Sequence, residues 1–295
     1  MVLSVLAQAR SAIDFEIVAL STSGDKVLNK PLAEFGGTGV FVKELEDALL
    51  SRQVDLVVHS LKDMPTDIPT GLCLAATPAR DDVRDVLVSR NKLSFDELPA
   101  GSRVATSSRR RAAQLEARRK DLVFVDIRGN VPTRLRKHDE GACDAMVLAA
   151  AGLLRLGLGE RISEYFDPEV CMPAVGQGAL AVECRLDDDF VRALLSEIND
   201  VAIAAQVTAE RAFLRKLGGG CAVPIGALAA TCAPGRIELR ACIADGERLV
   251  KGSVNGAEVQ AERLGQQLAE SLLAAGGAEI LESIIKRPSH PISLP

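Results

Sequence analysis

The sequence predicts an α/β protein of two lobes joined by two chain crossings, followed by a C-terminal α+β domain. Three observations support this. Runs of branched residues alternate with runs of helical periodicity up to about residue 200, the pattern of a largely parallel sheet covered by helices. Charged or Pro/Gly-rich stretches interrupt that alternation near 79–83 and 173–178, which suits two hinges. Beyond residue 200 the order becomes helix, paired strands, helix. The domains expected are therefore 1–78 with 179–199, then 84–172, then 200–295. A chain of 295 residues has room for three such cores.

In chain order, Phe15-Glu-Ile-Val-Ala-Leu20 reads as a strand closed by a Ser/Gly turn. Val40–Leu50 has apolar residues three and four apart and reads as a helix. Asp55–His59 is a buried strand that delivers Ser60, Lys62 and Asp63 to its carboxyl end, the end that faces the ligand crevice in open α/β sheets. In the second lobe Arg103–Thr106, Leu122–Val125 and Asp144–Ala149 are strands. Ser107 or Ser108 caps a helix that begins at the arginines, and Asn130 with Pro132 opens another. A helix is expected at Ala151–Leu156, and Ala179–Glu183 returns to the first lobe as a strand. In the last domain a helix covers Ala205–Leu217, two antiparallel strands cover Arg236–Ala244 and Glu247–Val254, and a long helix runs from Glu258 to Ala275.

Composition narrows the function. The net charge is −5, so any site for polyanions must be local. With one Tyr and no Trp, base stacking is a poor basis for nucleic-acid binding. Seven cysteines form no C-x-x-C pair, an odd count that fits reduced thiols in a cytoplasm-like compartment. No apolar run reaches a membrane-spanning length, and the apolar start lacks the basic segment of a signal peptide. Three scattered histidines give no metal-ligand spacing, so no metal is expected; His59 reads as packing, and His138 and His290 as superficial.

Chemistry concentrates at three places. Cys221 follows three glycines and precedes a Pro-Ile-Gly turn, which leaves its thiol reachable by a bulky electrophile; the alternative is a small buried hydrophobe. Asp63 is a lone acid at a strand end, able to stabilise a developing cation and relay protons, or else a helix cap or a partner of Lys62. Arg109, Arg110, Arg111, Arg128, Arg134, Arg136 and Arg155 fall at strand-to-helix junctions. Cations at a helix start oppose the macrodipole, so a cluster there points to an anion gripped by guanidiniums, against the alternative of a solvated surface.

These segments together resemble the hydroxymethylbilane synthase (porphobilinogen deaminase) family. The matching runs are Gly24-Asp25, Phe41–Glu46, Val58-His-Ser-Leu-Lys-Asp-Met-Pro65, Ala105-Thr-Ser-Ser-Arg-Arg-Arg-Ala-Ala-Gln-Leu115 and Ile127-Arg-Gly-Asn130 with Thr133-Arg-Leu135. Pro173-Ala-Val-Gly-Gln-Gly-Ala179, Glu210–Leu214 and Gly219-Gly-Cys-Ala-Val-Pro-Ile-Gly226 complete them. The resemblance implies lobes like those of solute-binding proteins and condensation of four porphobilinogen molecules into linear hydroxymethylbilane with loss of ammonia. It implies a dipyrromethane cofactor on Cys221 through a thioether, and Asp63 as the catalytic acid beside a cationic azafulvene. Ser60, Lys62, Ser108, Arg110, Arg111, Arg128 and Arg134 would hold the cofactor. Arg155, Gln177 and Thr22 would meet substrate. A cytoplasmic monomer with no nucleic-acid or membrane partner is expected.

Two departures stand out. Members of the family begin with a strand carrying Arg-x-Ser-x-Leu-Ala, and Met1–Arg10 matches only the tail of the helix after it. Reduced stability and impaired activity are therefore expected of this chain. Glu34 and Thr38 stand where relatives often place lysines. The competing readings are an inactive relative or anion-binding protein with the same lobes, and an RNA-binding module, which net acidity disfavours.

Overall fold

The computed structural model describes residues 1–10, 13–20, 42–218 and 223–286. The strands are β1 Leu56–Ser60, β2 Leu72–Ala76, β3 Asp85–Ser89, β4 Arg103–Ala105, β5 Val123–Val125, β6 Ala145–Ala149, β7 Glu164–Tyr165, β8 Leu180–Arg185, β9 Ile225–Ala233, β10 Arg236–Ala244 and β11 Leu249–Ala257. The helices are α1 Val2–Ala9, α2 Lys43–Leu50, α3 Arg109–Glu116, α4 Val131–Asp139, α5 Ala150–Arg155, α6 Asp189–Ser196, α7 Val201–Lys216, α8 Ala261–Leu272 and α9 Ala278–Lys286. The result is a mixed α/β protein built on separate sheets.

In the first sheet β8 lies between β1 and β2 and is antiparallel to both. The largely parallel sheet expected from strand–helix alternation is not what the described residues form here. The reason is topological: β8 arrives from the far lobe and inserts between two strands that precede the crossing. One face packs α1 and α6 through Val2, Leu6, Val182, Leu194 and Leu195. The other packs Leu61, Met64, Ala181 and Val207. Val58 faces outward, so β1 is half-buried rather than buried throughout. Phe15–Leu20 forms no strand, and Ile17 is 76% exposed. Branched residues favour a pleated surface only where a neighbour supplies the ladder.

The second sheet has the order β5-β4-β6-β3-β7, parallel on both sides of β4 and antiparallel where β3 meets β6 and β7. Its strand ends feed α3, α4 and α5. Ser108 caps α3 by accepting from the Arg111 N–H at 3.4 Å, and Asn130 caps α4 by accepting from the Thr133 N–H at 2.9 Å. His138, expected at the surface, is buried: the last turn of α4 folds it against Asp144, whose carbonyl lies 3.3 Å from Nε2.

The third unit has three antiparallel strands, not the two expected, in the order β11-β10-β9. β9 is alanine-rich and has little β propensity of its own; burial against Phe213 and Leu239 decides its state. α7 and α8 cover this sheet, with Leu264, Leu268 and Leu272 facing it at helical spacing. Gly265 lets the two helices meet, since a Cβ there would stand 2.3 Å from the Ala209 carbonyl. Among the described residues no helix is long and apolar enough to cross a membrane.

The two crossings run side by side. Arg80 bridges Ala179, the Asp81 N–H donates to the Gly178 carbonyl at 3.0 Å, and the Leu180 N–H donates to that of Ala79 at 3.2 Å. Gly178 has φ +84°, and a side chain there would meet the Asp81 carbonyl at 2.5 Å. The Ala179 carbonyl also accepts from the Leu61 N–H at 3.0 Å, which places the turn carrying Lys62 and Asp63 directly against the crossings.

Candidate active site

β1 ends at Ser60, and the chain then turns through a short 3-10 segment, Leu61–Asp63. Leu61 is pinned in the core while Asp63 faces solvent. Ser60 is half-buried at the strand end. The ammonium of Lys62 is held below its ordinary pKa, first by burial and then by Arg111 and Arg110, against the opposing pull of Asp63 and Asp85. Lys62 thus senses the charge of Arg110 and Arg111, although the sequence separates it widely from them.

Arg110 and Arg111 are buried, at 5% and 7% exposure, at the start of α3. They converge on Asp85, which is fully buried at the first residue of β3. Arg111 donates to Asp85 Oδ1 from Nε at 2.9 Å and from Nη2 at 2.7 Å, and Arg110 Nη1 donates to Oδ2 at 2.6 Å. Gln177, from the second crossing, donates to Oδ1 at 2.9 Å and to the Val83 carbonyl at 2.8 Å. Burial alone would raise the Asp85 carboxyl, but the two guanidiniums outweigh it and hold it well below the usual carboxylate range. Two guanidiniums on one carboxylate leave a positive charge unanswered beside Lys62.

Arg134, on α4, belongs to the same field. Burial lowers its pKa, Arg111 and Arg128 push the same way, and Asp126 and Asp63 oppose them. Its Nε donates to the Gly129 carbonyl at 2.7 Å, and Arg128 pairs with Asp126 at 3.1 Å. The Arg134 guanidinium and the Lys62 ammonium, both lowered first by burial, are groups that an anion beside them would favour in their charged forms.

Some expected roles acquire a different local meaning. Arg110 and Arg111 are engaged first by Asp85, because a guanidinium buried this deeply needs a resident counter-charge. Ser108 serves as the cap of α3. Arg155 lies across the crossings: Nε donates to Asp81 at 2.6 Å and Nη2 to the Gly178 carbonyl at 2.8 Å. Gln177 is fully buried, and its Oε1 accepts no hydrogen bond. Thr22, Cys221, Glu34 and Thr38 lie outside the described residues. The segment holding Cys221 connects α7 to β9. Among the described residues no group of three His, Cys, Asp or Glu is arranged to hold a metal ion.

Sequence reading missed Asp85, Asp81 and the pair behind the crossings. Arg80 donates to Glu210 at 2.8 and 3.1 Å, and Glu210 also accepts from the Gly176 and Ala229 N–H groups, both at 2.7 Å. Asp85 carried one signal: it immediately precedes the apolar run Val86-Leu-Val88, and so had to enter the sheet with its strand.

The family model for the porphobilinogen deaminase dipyromethane cofactor binding domain matches residues 1–193, and that for the porphobilinogen deaminase C-terminal domain matches 204–274. The chain belongs to the porphobilinogen deaminase family. It is 47% identical to a porphobilinogen deaminase of Halalkalibacterium halodurans, over 97% of this chain and 92% of that one. It is 50% identical to one of Syntrophotalea carbinolica, over 92% and 87% respectively. A crystal structure of the BvgS VFT2 domain of Bordetella pertussis matches at 21% identity over 67% of this chain and 75% of that chain, with a TM-score of 0.39.

Proposed function

We infer that this chain is a hydroxymethylbilane synthase, a transferase that condenses four porphobilinogen molecules into linear hydroxymethylbilane and releases ammonia, in tetrapyrrole and haem biosynthesis. Family membership along nearly the whole chain supports the reaction. One observation in the site supports it most: the surplus positive charge left where Arg110 and Arg111 share Asp85, next to Lys62 and Asp63. Each pyrrole unit brings two carboxylates, and only a local excess of cations holds several of them in a protein that is acidic overall.

The donor set fits a dipyrromethane cofactor, which needs guanidinium and ammonium partners for its own carboxylates. Lys62, Arg110, Arg111, Arg128 and Arg134 would hold it, with Ser60 and Ser108 at the rim and Cys221 as the covalent anchor. When bound, it supplies the pyrrole carbon to which the next unit is joined. Asp63, exposed in the turn beyond β1 that also carries Lys62, stabilises the positive charge that develops on a porphobilinogen as ammonia leaves, and accepts the pyrrole proton afterwards. Arg155, reaching across both connectors from the end of α5, and Gln177, on the second crossing, meet the incoming substrate, a role also assigned to Thr22. Keeping the growing product attached makes each coupling a matter of placement within one molecule.

The architecture we propose has one lobe of residues 1–78 and 179–199, a second of 84–172, a third domain of 200–295, and hinges near 79–83 and 173–178. We place the enzyme in the cytoplasm as a monomer with no nucleic-acid or membrane partner. Intact-protein mass spectrometry with a porphobilinogen assay tests the reading. The expected results are a mass excess of two pyrrole units, its loss in Cys221→Ser, and at least a hundredfold fall in turnover in Asp63→Asn. A chain of unmodified mass that does not consume porphobilinogen would refute it.

A further inference from the structure

We propose that Asp85 is a positioning residue for this reaction: it fixes Arg110, Arg111 and Gln177 in one arrangement, so that the anion-binding helix is held in register with both crossings. The proposal rests on the functional reading above for what the arginines bind. It goes further in assigning their orientation to a residue that itself touches no substrate.

Each oxygen of Asp85 has more than one donor. Oδ1 accepts from Arg111 Nε and Nη2 and from Gln177 Nε2, at 2.9, 2.7 and 2.9 Å. Oδ2 accepts from Arg110 Nη1 at 2.6 Å and from the Cys171 thiol at 3.4 Å. These donors come from the start of α3, from the segment that leads into the second crossing, and from that crossing itself. Asp85 in turn is the residue at which the first crossing becomes β3. A single carboxylate therefore ties together the start of α3, the second crossing and the first residue of β3.

A buried carboxylate with two guanidiniums is a poor device for stability alone, since apolar residues of similar volume often do as well. Its advantage is directional. Arg111 commits its Nε–Nη2 edge to Asp85, and Nη1 donates to the Val147 carbonyl at 3.2 Å. A carboxylate ligand is then met by the distal end of the fork, in one rotamer, with no side-chain ordering left to be done on binding. Arg110 is fixed likewise by Asp85 and by the Met172 carbonyl at 2.6 Å. The Gln177 link makes the arrangement sensitive to the second crossing.

The test compares Asp85→Asn and Asp85→Glu with the wild-type chain. The first keeps the shape and removes the charge; the second keeps the charge and moves it by one methylene. Porphobilinogen kinetics, thermal melting and phenylglyoxal labelling of arginines, mapped by peptide mass, are measured for each. Positioning predicts a KM at least tenfold higher in both variants. It also predicts at least tenfold faster labelling at Arg110 and Arg111 in Asp85→Asn. A background electrostatic role predicts the opposite sign in Asp85→Asn, because the added positive charge would tighten anion binding and lower KM. A folded variant with KM and labelling within twofold of wild type overturns the proposal, and so does failure of both variants to fold, which would make Asp85 a stability residue. If the wild-type chain does not consume porphobilinogen, the functional reading falls alone, and labelling still decides whether Asp85 holds the two guanidiniums.

Discussion

Glu210→Ala should be the most damaging single substitution in the third domain. Glu210 is fully buried and accepts two bonds from Arg80, whose side chain is 6% exposed, and one each from the Gly176 and Ala229 N–H groups. Removing one partner of such a pair leaves an uncompensated charge and costs about 3–5 kcal/mol. The two backbone donors stranded without acceptors add about 1–3 kcal/mol each, partly relieved by entering water. A total near 5 kcal/mol is expected, a fall in Tm of about 10 °C at this chain length. Urea titration followed by circular dichroism measures it. Glu210→Gln should lose less, because an amide oxygen still serves one N–H. The double variant Arg80→Met with Glu210→Leu should recover most of the loss, since it removes the stranded charge along with its partner. A cost below 1 kcal/mol for Glu210→Ala, or a double variant as unstable as the sum of the singles, would refute the assignment of this pair as the support of the crossings.

Further outcomes follow from the same geometry. Gly178→Ala meets the Asp81 carbonyl at 2.5 Å from a backbone with φ +84°, and should cost about 2 kcal/mol or more, read by thermal melting, with slowed turnover. Ser108→Ala removes the cap of α3 and should cost about 1 kcal/mol by the same measurement. The Asp85 carboxyl is held below its unfolded-state value of about 3.9, so its contribution is complete above that pH and is lost as pH falls toward the lower folded value. Stability measured downward from pH 5 should fall through this acid range, and Asp85→Asn should flatten the slope. Cys73 and Cys184 face each other across β2 and β8 with sulfurs 3.8 Å apart, and burial pushes the Cys184 thiol up to about 12. Reaction of Cys184 with a disulfide reagent at neutral pH should therefore be slow, at least tenfold below that of the exposed Cys232.

In the second lobe β4, β5, β6 and the three helices were legible, while β3 and the two-residue β7 were not. The strands that were read are short apolar runs, and α3 and α4 carry their own caps, Ser108 and Asn130, so local chemistry marks those boundaries. The first sheet was not, because the direction of β8 depends on a chain reversal that no window of sequence contains. The site divided in the same way. Lys62, Asp63 and the arginines were visible as residue types at strand ends. Their counter-charges were not: Asp85, Asp81 and Asp126 had no assigned partner until the fold placed them against Arg111, Arg155 and Arg128. Periodicity reports which face of an element is buried, and it carries no information about which distant charge shares that burial.

The side-by-side crossings constrain how sequences of this kind can vary. Arg80 is aligned with Ala179, and Arg155 reaches Asp81 on one connector and Gly178 on the other. Adding or deleting a residue in either connector would shift the alignment by one position and pull Asp81 away from Arg155. The two stretches, far apart along the chain, can therefore change length only in concert, while surface loops elsewhere stay free to grow or shrink.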